Sequence, residues 1–205
     1  MLNSKYFKEL ENLNIFISEE SKVSDKAQIL FNSVILGKSE IKDGAVIGPN
    51  SIIVDSVIYN DAQVLNSYVT NSIVGEKTTI GPFAHLRDNT EIGANCRVGN
   101  FVEIKKSKIG DKSKASHLAY IGDSNIGYDC NFGCGAITVN YDGVNKYKTV
   151  IGDNVFIGCN TNLVAPVTIH NNSFIACGST ITSDVPENTL AIARSRQLNK
   201  IDYYK

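Results

Sequence analysis

The chain has 205 residues, a formal net charge of −1 and five cysteines, and 42% of its residues are hydrophobic. The length is sufficient for one domain with a buried core, and the near-neutral charge gives no electrostatic reason to bind nucleic acid. No apolar run reaches the roughly 18 residues of a membrane span, and the cysteines, which form no C-x-x-C pair, favour reduced thiols in the cytoplasm.

Residues 1–14 differ in pattern from the rest of the chain. Tyr6, Phe7, Leu10 and Leu13 recur at helical spacing between charged residues, which predicts a short amphipathic helix. We interpret this helix as a cap over the open end of a repeat array, because the first repeat would otherwise expose unpaired strand edges.

From about Val23 to Val185 an aliphatic residue returns every six positions and is commonly followed by glycine. A fixed period of six is typical of a parallel β-helix, in which short strands stack into a rod around a narrow core. The position four residues further on faces the same core, so Cys96 and Cys130 at this position are predicted to be core residues and not ligands. The chain is therefore predicted to be all-β, with the β-helix over residues 15–186.

One insertion interrupts the period. The step from Thr138 to the next aliphatic position, Ile151, is 13 residues instead of six, which predicts a surface loop within residues 139–150. Inserted loops of this kind often carry binding residues. After Pro186 the repeats stop, and residues 187–205 are predicted to form an extended or helical arm.

The hexads resemble those of the parallel β-helix acyltransferases, in which three hexads make one coil of 18 residues, and this coil length would place distant residues on one line. His117, Cys134, Cys159 and Cys177 then occupy the same outward position of successive coils, once one five-residue step is allowed for and the seven-residue insertion is subtracted. With about 4.8 Å between coils, this column spans roughly 14 Å and has a base at the foot of a strip of small side chains. Such a strip would seat an extended thioester arm, although small residues also suit a tight corner for purely structural reasons.

Arg87 and Lys105 are 18 residues apart and are predicted to stack on adjacent coils. Two cations about 4.8 Å apart repel unless an anion lies between them, and a phosphate fits that place. A pair of solvated surface charges is the alternative. The three histidines, His85, His117 and His170, are too scattered along the rod to converge on a metal ion, so no metal site is predicted.

The hexads resemble those of the left-handed parallel β-helix acyltransferases, which commonly form trimers with active sites between neighbouring prisms. Longer motifs are similar to the C-terminal acetyltransferase domain of the bacterial bifunctional enzymes that make UDP-N-acetylglucosamine. These motifs are G-P-F-A-H-L-R (81–87), N-F-V-E-I-K-K (100–106), S-H-L-A-Y-I-G-D (116–123), T-V-N-Y-D-G-V-N-K-Y-K-T (138–149), N-L-V-A-P-V-T (162–168) and A-I-A-R-S-R-Q (191–197).

The resemblance implies a cytoplasmic homotrimer that transfers acetyl from acetyl-CoA to the amine of glucosamine 1-phosphate, without a metal, for UDP-N-acetylglucosamine and cell-envelope synthesis. It implies His117 as the general base, and nearby Glu103 is a candidate to orient the imidazole. The residues implied to hold the amino sugar phosphate are Arg87, Lys105, Tyr120 and Asn131. Those implied to hold acetyl-CoA are Asn140, Tyr141, Lys146, Arg194 and the backbone near Cys134, Cys159 and Cys177, with Lys146 reaching a neighbouring prism.

Two departures from the family pattern carry expectations. The family commonly has alanine or serine at the three cysteine positions of the column, so the channel is expected to be lined with thiols and sensitive to alkylation. The glycine-rich nucleotide loop of the uridylyltransferase domain is absent, so a separate uridylyltransferase is a candidate partner. Two alternatives stay open: an acyltransferase for another, nucleotide-linked amino sugar, and a non-catalytic β-helix that serves as a scaffold.

Overall fold

The computed structural model describes residues 14–204, which form strands joined by turns and contain no helix. The predicted helix over residues 1–14 lies outside the described residues except for Asn14. The strands are β1 Phe16–Ile17, β2 Lys22–Val23, β3 Gln28–Ile29, β4 Val34–Leu36, β5 Glu40–Ile41, β6 Val46–Ile47, β7 Ile52–Val54, β8 Val57–Ile58, β9 Gln63–Val64, β10 Tyr68–Thr70, β11 Ile73–Val74, β12 Thr79–Ile80, β13 His85–Arg87, β14 Glu91–Ile92, β15 Arg97–Lys105, β16 Lys108–Ile109, β17 Lys114–Gly122, β18 Ser124–Ile126, β19 Asn131–Phe132, β20 Ile137–Val139, β21 Thr149–Ile151, β22 Phe156–Ile157, β23 Asn162–Val164, β24 Val167–Ile169, β25 Phe174–Ile175, β26 Thr180–Ile181 and β27 Leu190–Ala191.

The strands stack in parallel as the coils of a β-helix. A strand in the lower coils pairs with the strand three places before it and the strand three places after it, as β5 does with β2 and β8. Three strands therefore make one coil, and the rod has three faces. In the upper half the first face contains β19, β22 and β25, the second β20, β23 and β26, and the third β18, β21 and β24. The parallel β-helix that the six-residue period predicts is confirmed.

The core of the rod is a stack of buried side chains that are mainly aliphatic. Ile35, Ile47, Ile104 and Leu163 are at most 1% exposed, and burial of each such side chain contributes about 1.5–3 kcal/mol. Cys96 lies among them, and burial raises the pKa of its thiol to about 11. Cys130 is buried in the same way, so the prediction that both cysteines are core residues is confirmed.

The corner between the first and second faces changes character along the rod. In the lower coils it holds asparagines in the left-handed conformation, and the Asn32 side chain donates to Asn50 (3.1 Å), as Asn50 does to Asn66 (2.9 Å). In the next three coils the left-handed residues are apolar: Phe83, Phe101 and Leu118, each 58% exposed. Bulky apolar residues seldom adopt positive φ, so this part of the corner is built differently from the rest.

The insertion forms a surface loop between β20 and β21, as predicted. An antiparallel bridge between Tyr141 and Lys146 closes the loop, and the Asp142 carboxylate accepts backbone N–H bonds from Val144 (2.8 Å) and Asn145 (2.6 Å). These bonds lower the pKa of Asp142. The loop therefore has a defined path over the rod.

The β-helix continues past residue 186, where the sequence pattern predicts its end. Leu190 and Ala191 form β27, which pairs in parallel with β25, and Ala191 packs against the core. The tail lacks the aliphatic–glycine pattern, so this strand was not predicted from the period. Residues 192–204 contain neither strand nor helix, and no helix in the described part of the chain has the length and hydropathy of a membrane span.

Candidate active site

His117 lies where β17 passes the corner between the first and second faces. Strands β15 and β17 run through this corner without a break and place Asn100 directly below His117. The Asn100 amide oxygen is 2.7 Å from Nδ1 of His117. An amide oxygen only accepts hydrogen bonds, so Nδ1 donates in this contact, and the neutral tautomer that the contact favours has its lone pair on Nε2. A general base needs such a lone pair.

The structure corrects the expectation that Glu103 orients the imidazole. The Glu103 carboxylate instead accepts bonds of 2.7 Å from Nε and Nη2 of Arg87. The residue that orients His117 is Asn100, which the sequence analysis missed. Extending the column of His117 downward by one coil would have found it.

The column above His117 is present as predicted. The strand registers and backbone hydrogen bonds of 2.7–2.8 Å between neighbouring corners place Cys134, Cys159 and Cys177 on the next three coils. All three thiols are free and exposed. Arg194 joins this column at its upper end, where its Cδ lies 3.7 Å from the position that a Cβ on Gly178 would take.

Arg87 and Lys105 stack on the second face in the predicted register. Their charges, however, are already partly matched by carboxylates of the same chain. Arg87 bonds Glu103 and also Asp88 (3.0 Å), and Lys105 lies 3.7 Å from Asp123. The bond to Glu103 raises the pKa of Arg87. The stack is therefore stable without an external anion, and repulsion between the two cations is not by itself evidence of a bound phosphate.

The inserted loop brings Lys146 back to the second face of its own chain. Its amine lies close to that of Lys105, and this contact lowers the pKa of Lys146. Asp123 attracts both groups. The loop thus groups Lys146 with Arg87 and Lys105, and the contact of Lys146 with the coenzyme on a neighbouring prism, which the resemblance implies, stays a prediction.

Asn140 is also tied to the second face. Its side-chain amide donates to Asp123 (2.5 Å) and lies 3.5 Å from the Tyr120 hydroxyl, and both Asn140 and Asp123 are buried. A Cβ on Gly122 would come within 2.5 Å of the Tyr120 hydroxyl and 2.8 Å of the Asn140 amide. Glycine is therefore required above Lys105, and the Asn140 side chain supports the cation cluster. The role that the resemblance implies for Asn140, holding acetyl-CoA, stays a prediction.

Asn131 stands apart from the second-face residues within one chain. It lies on the first face, where it pairs with Lys114 and Phe156, whereas Tyr120 lies on the second face. Tyr141 is in the exposed loop, and its hydroxyl donates to the carbonyl of Gly143 (2.6 Å). A site on the second face of one chain therefore does not contain the Asn131 side chain.

A shallow depression lies beside His117 on the second face. Its lining comprises Phe101, Glu103, Leu118, Ala119, Tyr120, Gly135, Ile137 and Asn160. Phe101 and Leu118 supply an exposed apolar wall, while Glu103 and Tyr120 supply the polar side next to the cations. This apolar wall was not predicted from the sequence. Its signal is the placement of Phe and Leu at a corner position that Asn and Gly otherwise occupy.

Comparison with known proteins identifies relatives of the chain. A family model described as bacterial transferase hexapeptide (six repeats) matches residues 71–106 and 148–183. The chain is 55% identical over 196 residues to the bifunctional protein GlmU of Exiguobacterium sp. (strain ATCC BAA-1283 / AT1b). That alignment covers 96% of the chain and 44% of the relative, so the chain spans less than half of that protein.

Two solved structures share the fold at low sequence identity. The UDP-N-acetylglucosamine acyltransferase of Francisella novicida has a TM-score of 0.55 at 18% identity, over 87% of this chain and 67% of that chain. The perosamine N-acetyltransferase of Caulobacter crescentus, solved with CoA and GDP-perosamine, has a TM-score of 0.50 at 23% identity. This second match covers 57% of this chain and 53% of that chain.

Proposed function

Because the chain is a hexapeptide-repeat domain homologous to part of the bifunctional protein GlmU, we propose that it transfers acetyl from acetyl-CoA to the amine of glucosamine 1-phosphate. The observation that carries this proposal is the position of the His117–Asn100 pair. The base lies between a column of small side chains on one side and a cluster of cations on the other. A thioester donor and an anionic acceptor would meet at such a base.

His117 acts as the general base in this proposal. Nε2 accepts a proton from the acceptor amine while the amine nitrogen attacks the thioester carbonyl carbon. The C–S bond then breaks, and the proton held by His117 neutralises the departing thiolate of coenzyme A. Asn100 keeps Nδ1 protonated throughout, so that Nε2 is the atom that takes and returns the proton.

The phosphate of the acceptor is held by Arg87, Lys105 and Lys146. In the free protein Glu103 and Asp123 hold two of these cations in place, and a phosphate would form stronger charge-assisted bonds with the guanidinium and ammonium groups together. The lowered pKa of Lys146 supports this assignment, because a dianion beside Lys105 would remove the repulsion that causes it. The sugar ring would lie in the depression against Phe101, Leu118 and Tyr120.

Acetyl-CoA lies along the corner in this proposal, with its thioester near His117 and its arm passing Cys134, Cys159 and Cys177. Arg194 at the upper end would meet phosphate groups of the coenzyme. The small side chains leave the corner backbone accessible. The carbonyl and N–H groups of the coenzyme arm can then form hydrogen bonds with that backbone.

The complete site would be shared between copies of the chain in a homotrimer. The support for this is the position of Asn131 on the first face, away from the second-face cations of the same chain. A neighbouring copy that presents its first face to the second face of this chain would bring its Asn131 to the acceptor. This arrangement gives Asn131 a role that it does not have within one chain.

The acceptor is tested with a panel of amino sugars. Glucosamine 1-phosphate, glucosamine 6-phosphate, unphosphorylated glucosamine and a nucleotide-linked amino sugar are each mixed with acetyl-CoA, and the acetylated product is measured by mass spectrometry. We expect glucosamine 1-phosphate to have the highest kcat/KM. Preferred turnover of the nucleotide-linked sugar would favour the alternative acyltransferase, and no turnover with any acceptor would favour a scaffold.

A further inference from the structure

The three exposed thiols of the corner column form a cluster of nucleophiles next to a base. Cys134, Cys159 and Cys177 follow one another on consecutive coils, and Cys134 lies on the coil directly above His117. The two remaining cysteines are buried in the core, and burial raises the pKa of both thiols. The reactive thiols of the described residues are therefore confined to one line on the surface.

The spacing of the column disfavours disulfides within it. Side chains in register on stacked coils keep their Cβ atoms close to the coil separation of about 4.8 Å. A disulfide needs a Cβ–Cβ distance of roughly 3.5–4.5 Å. The thiols are thus held slightly too far apart to bond to one another, but each is open to a small thiol or disulfide from solution.

We propose that Cys134 is a modification site that forms a mixed disulfide with coenzyme A. This inference rests on the proposed function, which places the coenzyme sulfur at His117. Cys134 is one coil, or about 4.8 Å, from that position, whereas Cys159 and Cys177 lie beside the arm of the coenzyme. Only Cys134 is near the sulfur.

The reaction is a thiol–disulfide exchange with the symmetrical disulfide of coenzyme A as the oxidant. The Cys134 thiol loses its proton to solvent or to Nε2 of His117, and the resulting thiolate attacks one sulfur of the coenzyme disulfide. A bond forms between Sγ of Cys134 and that sulfur, and the original S–S bond breaks. The second coenzyme A molecule leaves as a thiolate and takes up a proton.

The adduct would close the acetyltransferase channel reversibly. The bound coenzyme occupies the place of acetyl-CoA, so the modified protein cannot bind its donor until a thiol reduces the disulfide. The coenzyme is recognised by the same corner that binds the substrate, and this makes the modification selective for a pantetheine-type disulfide over other small disulfides.

The test uses the reduced full chain, freed of reductant and mixed with coenzyme A disulfide, with intact-mass measurement and peptide mapping. We expect one coenzyme per chain, attached at Cys134, and no adduct at that position in Cys134→Ser. The exposed third-face variant Asn125→Ala is the control and should be modified at the wild-type rate. Glutathione disulfide should react with Cys134 at least about tenfold more slowly, because it lacks the groups that the corner binds. Acetyl-CoA should protect Cys134, and dithiothreitol should restore the activity of the modified wild-type protein.

Other outcomes would overturn the inference. Equal labelling of the three exposed cysteines, or equal rates with both disulfides, would show that these are merely accessible thiols. Acetyl transfer by the reduced protein is measured separately. A protein that transfers acetyl but takes no coenzyme at Cys134 overturns only the modification site. A protein that is selectively modified at Cys134 but transfers no acetyl overturns only the proposed function.

Discussion

Asn100 lies one coil below His117 and accepts a hydrogen bond from Nδ1 of its imidazole over 2.7 Å. The two side chains belong to strands that run through the same corner, so the bond is fixed by the backbone register and not by a flexible loop. Both side chains are at the surface, where they can be changed without disturbing the core.

Asn100→Ala should lower kcat about tenfold while leaving the KM for acetyl-CoA close to its wild-type value. Loss of the bond lets the imidazole rotate and populate the other tautomer, and a lost hydrogen bond of about 1–1.5 kcal/mol corresponds to this factor. Steady-state kinetics test the change, with the exposed third-face variant Asn125→Ala as the control.

A further test is Asn100→Asp, which should shift the acidic limb of the pH–kcat/KM profile, because a carboxylate stabilises the imidazolium. An unchanged profile would mean that Asn100 has no role in positioning the base.

His117→Ala should lower kcat by about 10²–10⁴, the usual contribution of a general base. The fold should persist, since the side chain is exposed and the corner strands pair through their backbones. Circular dichroism and size-exclusion chromatography check the fold in the same samples as the kinetics. Turnover near the wild-type value in a folded variant would remove His117 as the base.

Lys105→Ala and Lys146→Ala should each raise the KM for glucosamine 1-phosphate by about 10–100-fold, the effect of losing a bond to a charged group. The KM for acetyl-CoA should change little, because the structure places both lysines on the second face and away from the cysteine column. Lys108→Ala on the third face is the matched control. If Lys146→Ala raises only the KM for acetyl-CoA, Lys146 binds the coenzyme and not the acceptor phosphate.

The lowered pKa of Lys146 predicts a pH dependence of acceptor binding. As the pH rises through this lowered value, Lys146 loses its charge, so the KM for the phosphorylated sugar should increase below the pH at which lysines ordinarily titrate. In Lys105→Ala the neighbouring cation is gone, the pKa of Lys146 rises, and the increase in KM should move to higher pH. The measurement is KM against pH for both proteins. Identical profiles would contradict the coupling of the two lysines.

Mixed assemblies test the shared site. His117→Ala chains co-expressed with Asn131→Ala chains should regain part of the activity, because some interfaces would receive an intact His117 from one chain and an intact Asn131 from another. His117→Ala with Lys105→Ala should not recover, since the structure places these two residues on the same chain's part of the site. The composition of the mixed assemblies is verified by mass spectrometry. Equal behaviour of the two pairs would reject the shared site.

The sequence by itself determined the repeating parts of this protein. A six-residue period predicts short parallel strands that stack in register, and the backbone hydrogen bonds between stacked strands carry an outward position straight up the rod. The column from His117 to Cys177 and the stack of Arg87 on Lys105 follow from this regularity. The buried positions of Cys96 and Cys130 follow from it as well.

Only the tertiary structure decided the parts that have no period. The direction of a side chain within its column depends on its hydrogen-bond partner. Glu103 bonds Arg87, and Asn100 bonds His117 and orients it. The path of the inserted loop is set by the hydrogen bond from Asn140 to Asp123 of another coil and by the antiparallel bridge between Tyr141 and Lys146. Leu190–Ala191 forms a strand because its backbone groups pair with those of β25 at the end of the rod. This pairing depends on the tertiary structure and has no signal in the local sequence pattern.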